Sequence, residues 1–134
     1  MHNKGEFLHK LQANTGLAER DEAEKVTKSV LTTLRKRITP EEAKHVEAQL
    51  PEGLKELWHG SVLSGLAHKL TGPDSLSAHE FMEHVAKELN VSDERAAELT
   101  RHVFHLLKEQ ITEGQAKHVE DQLPKNLKVV WLEA

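Results

Sequence analysis

Ala43-Lys44-His45-Val46-Glu47-Ala48-Gln49-Leu50-Pro51 returns 73 residues later as Ala116-Lys117-His118-Val119-Glu120-Asp121-Gln122-Leu123-Pro124. This recurrence decides the fold, because the chain on either side of it can be read twice. From 38 to 51, ten of fourteen positions are identical to their counterparts in 111–124. Downstream, Leu54-Lys55 pairs with Leu127-Lys128 and Trp58 with Trp131; upstream, Leu34 pairs with Leu107, Val30 with Val103 and Ala23 with Ala96. Further upstream the offset becomes 74, which aligns Phe7 with Phe81, Leu8 with Met82, Leu11 with Val85 and Gly16 with Asn90. One residue is therefore inserted between Leu17 and Ala23. The expected organisation is a single domain over 1–134, with one helical repeat at 5–60, a short linking helix and turn at 61–76, and a second repeat at 77–134. A unit this small has a marginal core alone, so the two are expected to pack as one pseudo-symmetric helical bundle.

The same helix signals occur in both copies. A first helix is expected over 5–14 and 78–89, opened in the second copy by the capping box Ser77-Ala78-His79-Glu80. It closes at Gly16 or Asn90, the residue types that best tolerate a left-handed backbone. A long second helix is expected over 19–38 and 92–111. Its apolar residues Val26, Val30, Leu34 and Ile38, and Leu99, Val103, Leu107 and Ile111, step by four and form one stripe. A third helix begins at Thr39-Pro40-Glu41-Glu42 or Thr112-Glu113-Gly114-Gln115. It stops at Leu50-Pro51 or Leu123-Pro124, since proline disfavours helix in the residue before it. A fourth covers 52–58 and 125–132. Ser61 to Leu70 reads as the linking helix, and Thr71-Gly72-Pro73-Asp74 breaks it. No segment alternates for long enough to be a strand, so the class is all-α with about four helices per repeat.

Composition agrees and excludes several chemistries. Leu, Ala and Val make up most of the apolar set, which favours helix over sheet. With no cysteine, disulfide scaffolds, thiol nucleophiles and cysteine-ligated metals are excluded. The formal charge of −4 argues against non-specific nucleic-acid binding. There is no long apolar run for a membrane span and no signal-peptide pattern, so a cytoplasmic protein is expected.

The Phe-led first helix, the long amphipathic second helix and a Gln-Leu-Pro-Xaa-Xaa-Leu turn, each present twice, carry a resemblance. The turn stands here as Gln49-Leu50-Pro51-Glu52-Gly53-Leu54 and Gln122-Leu123-Pro124-Lys125-Asn126-Leu127. From about Gly5 to Leu132 the chain resembles a bacterial family catalogued as domain of unknown function 2267. That resemblance implies a small all-helical fold and supplies no catalytic residues. Leu57-Trp58-His59-Gly60 stands where family members often carry an aromatic pair.

Ten histidines invite a search for metal ligands. Glu98, His102, His105 and Glu109 share one helix face. That face lies about 150° from the apolar stripe and should point to solvent. Lys25, Ser29, Thr32 and Lys36 occupy the corresponding positions in the first copy and form no ligand set. The bland reading is a solvated face with one adventitious His pair. His45 and His118 are kept in both copies, one turn before Gln49 and Gln122. These four, with Trp58 and Trp131, are candidate residues for the junction between repeats or for a pocket there. Haem needs a His in an apolar pocket, and only His68, between Leu66 and Leu70, comes near that setting.

No glycine-rich phosphate loop, nucleophile elbow or zincin motif is present. With no catalytic motif the sequence leans away from an enzyme without deciding the matter, and no cofactor is expected. The leading expectation is a non-catalytic protein-interaction or assembly module, with a protein partner or a second copy as the candidate partner. One alternative is a His-dependent metal-binding or pH-responsive protein. Another is a small-ligand or enzymatic site between the repeats.

Overall fold

The computed structural model describes residues 3–59 and 78–134, and every regular element among them is helical. The elements are α1 (Lys4–Thr15), α2 (Arg20–Arg35), α3 (Pro40–Ala48), α4 (Glu52–His59), α5 (Ala78–Leu89), α6 (Asp93–Lys108), α7 (Glu113–Gln122) and α8 (Lys125–Glu133). The linking helix, the break at 71–74, the Ser77 cap and His68 lie outside the described residues.

Local chemistry explains where each helix begins and ends. The Asn3 side chain accepts from the Glu6 amide at 2.8 Å to start α1. Thr39, Ser92 and Thr112 do the same for α3, α6 and α7, at 3.2, 3.1 and 3.1 Å. α1 ends at Gly16, whose φ of +78° places it in the left-handed region, and Asn90 after α5 has φ +57°. Val91 then donates to the Ala86 carbonyl at 3.0 Å, closing the end of α5. The two long helices stop three residues before their expected ends of 38 and 111. Arg37 donates to the Leu34 carbonyl at 2.8 Å and Gln110 to the Leu107 carbonyl at 2.9 Å. These tighter bonds turn the chain so that the following threonine can cap the next helix.

α2 and α6 are the central helices. α2 packs on α1 and α4, and α6 on α5 and α8. α2 also packs on α5, and α6 on α1, while α2 and α6 touch each other and α3 lies against α7. The expected apolar stripes are buried in this core, Ile38 and Ile111 included. Phe81 meets Phe104 edge-on at 5.8 Å between ring centroids, and Phe104 meets Trp131 edge-on at 5.2 Å. The Trp58 indole N–H donates to the Ala43 carbonyl at 3.1 Å and so ties α4 to α3. No helix among the described residues is long and apolar enough to cross a membrane.

Candidate functional site

The sequence directs attention first to α3 and α7. Gln49 and Gln122 reach across this junction reciprocally. Gln49 Oε1 accepts from the Thr112 amide, and Gln122 Oε1 accepts from the Thr39 amide, both at 2.8 Å. Each glutamine thus satisfies an amide at the start of the opposite helix, one of the groups a helix leaves unpaired. Between them the Gln115 side-chain amide donates to Glu42, and both residues are buried. Gln49 Nε2 also donates to Gln115 Oε1 at 3.3 Å. The Gln115–Glu42 bond at the centre of this polar junction is buried, and the two glutamine–amide bonds that flank it are exposed. His45 and His118 lie on the same helices but are exposed.

Neither tryptophan lines the groove along α2. Trp58 and Trp131 are 0% and 1% exposed, because large apolar surfaces belong in the core. A cavity opens elsewhere. A groove of about 830 Å³ runs along α2 and is closed on its other side by the α5–α6 turn and the start of α6. Leu17, Val26, Leu89, Val91 and Leu99 give it apolar surface. Lys25, Lys28, Ser29 and Thr32 line it from α2, and Glu88, Asn90 and Arg95 from the other wall. Ser29 Oγ donates to Glu88 Oε1 at 2.5 Å, which ties α2 to α5 at this point. His84 Nε2 lies 3.5 Å from the same carboxylate oxygen. Lys25 and Lys28 are exposed and have no ion pair among the described residues.

The matching face of α6 carries different contacts. At the 73-residue offset, Arg95 and Glu98 replace Glu22 and Lys25, so the charge pair is reversed. Arg95 donates to the Thr15 carbonyl at the end of α1, at 2.9 Å, and to Glu98 Oε1 at 2.5 Å. Arg95 thereby clasps α6 to α1. Glu22 has no proton to donate to a carbonyl when ionised, so the first face has no such clasp. The hydrogen bond and charge of Arg95 hold the Glu98 carboxyl below its ordinary pKa.

The Glu98, His102, His105 and Glu109 face falls on this clasped side. Glu98 is engaged by Arg95. His105 lies 3.5 Å from Glu109, which also faces Lys10 of α1 at 3.7 Å. Glu98 is thus held by Arg95, while His105 and Glu109 face each other, so the four side chains do not form one ligand set. No cluster of three or more His, Asp or Glu able to hold a metal ion occurs among the described residues. Sequence reasoning did not single out the groove. The reversal of Glu22 and Lys25 against Arg95 and Glu98 was its visible signal, since reversed charges at matched positions imply different neighbours.

A family described as "Uncharacterized conserved protein (DUF2267)" matches residues 4–130. The chain belongs to this family. The match spans all four α1–α4 helices and most of α5–α8, so the DUF2267 unit includes both the junction and the groove. No curated protein matches the sequence.

Proposed function

We propose that this DUF2267 protein is a non-catalytic interaction module, built from two copies of one four-helix unit, that binds a protein partner in the α2–α5–α6 groove. The duplication is supported by the 73-residue recurrence and by contacts that come in exchanged pairs. α2 with α5 mirrors α6 with α1, and Gln49 with Thr112 mirrors Gln122 with Thr39. Such packing leaves the two outer faces free to diverge. The single observation that carries the binding role is the unclasped groove, concave and partly apolar with a few convergent polar groups. The module's expected setting is the cytoplasm.

A photo-crosslinking side chain placed at Lys28 tests this reading in cells that carry the gene. Defined adducts should form there, and should vanish when Thr32→Trp fills the groove. A control position at Lys44, exposed on α3, should give none of them. Adducts that persist in the filled variant, or no adducts at Lys28, would count against the role.

A further inference from the structure

The groove has a chemical polarity that narrows what it can receive. Its apolar surface is left by two helix-to-helix turns, with Leu17 from the first and Leu89 and Val91 from the second. Lys25, Lys28 and Thr32 are spaced at three and four residues and run along one rim. Side chains at that spacing follow one face of α2 for about two turns, close to 10 Å. Of the two carboxylates in the lining, one is engaged within the fold. Glu88 is occupied by Ser29 and flanked by His84. Glu22, one turn before Lys25, is exposed like the two lysines, so the open charges of the lining are two cations and one carboxylate. Arg95 is already committed to Thr15 and Glu98. The cationic groups still able to take a partner are Lys25 and Lys28.

We propose that the groove receives an acidic amphipathic helical segment of a protein partner. Its apolar face would cover Leu17, Val26 and Val91, and its carboxylates would run beside Lys25 and Lys28. The inference rests on the binding role proposed above and adds the chemistry of the partner. A short helix meets such a site by placing apolar anchors at helical spacing into the groove, with charge along the rim setting orientation.

Selection from a displayed library of random peptides of about 16 residues, roughly four helical turns, against the full chain tests it. Groove binders are those lost in Thr32→Trp and retained in Lys44→Glu. These should be rich in Asp and Glu, with apolar residues at three- and four-residue spacing. Lys25→Glu/Lys28→Glu should weaken them about tenfold, and Lys25→Met/Lys28→Met by less. Affinity should fall as salt rises. The amide NMR spectrum of each variant confirms that the fold is retained. Groove binders that are neutral or basic, or indifferent to both lysine pairs, overturn the acidic partner while leaving the groove's role intact. A selection that yields no binder sensitive to Thr32→Trp overturns both.

Discussion

The faces of α2 and α6 that meet the ends of α5 and α1 occupy matching places in the sequence and do opposite things. On α6, Arg95 reaches the Thr15 carbonyl and pairs with Glu98, so the helices are drawn together. On α2, Glu22 and Lys25 hold the same positions with the charges exchanged, and the groove stays open. Two helices with the same apolar stripe can therefore share a core and differ at the surface. A carbonyl at a helix end recruits a donor, and only one of the two faces supplies it.

The shared core should give the largest effects. Trp58→Ala and Trp131→Ala should each cost about 3–5 kcal/mol in denaturant unfolding, because both remove a large buried side chain. A single cooperative transition is expected in each case; two separate transitions would show that the halves have independent cores. The polar junction comes next. Gln49→Ala and Gln122→Ala should each cost about 1 kcal/mol, since each removes a partner from the amide of Thr112 or Thr39. The two costs should be similar, and a marked inequality would break the reciprocity.

Exchanging the charge pattern probes the faces directly. Arg95→Glu/Glu98→Lys should release α1 from α6, seen as faster amide exchange at the end of α1. Stability should change little, because the pair is half-exposed and screened by solvent. Unchanged exchange would remove the clasp as the reason for the asymmetry. The smallest effect concerns acid. The Glu98 carboxyl titrates below its ordinary value in the folded protein. Its stabilisation is present above the unfolded pKa and is lost as pH falls through the folded one. Glu98→Gln should flatten the acid limb of a stability–pH curve over that window, by lowering neutral stability slightly while leaving acid stability nearly unchanged.

A related symmetry appears at the far ends of α2 and α6. Arg35 donates to the His59 carbonyl at 2.8 Å, and Lys108, at the matching position, donates to the carbonyls of Trp131 and Ala134 at 2.7 and 3.1 Å. A cation there satisfies the last carbonyls of α4 or α8. Burial lowers the pKa of both side chains, opposed by Glu47 for Arg35 and by Glu120 for Lys108. Here the two halves use different side chains for one task, whereas Glu22 and Arg95 occupy one position and perform different tasks.

Local signals made most of the helical plan legible. Thr39, Ser92 and Thr112 mark helix starts, and Gly16 and Asn90 mark ends. Cap and turn preferences act within a few residues, so they can be read without the rest of the molecule. The stripe from Val26 to Ile38 announced a buried face for the same reason. The candidate site was legible only in part. Gln49 and Gln122 stood out by recurring, yet their use as caps for each other's opposite helix depends on α3 lying against α7. Trp58 and Trp131 also recurred, and they belong to the core rather than to a pocket.

By itself the sequence determined the helix boundaries to within a few residues, the buried stripes and the family of the chain. These depend on short-range backbone preferences and on periodicity. Only the tertiary structure decided which surfaces close and which stay open. Ser29 meets Glu88 across 59 residues of chain, and Arg95 meets Thr15 across 80. Contacts of that range are set by how whole helices pack, so no local pattern announces them. The open groove is a product of that packing and of one reversed charge pair.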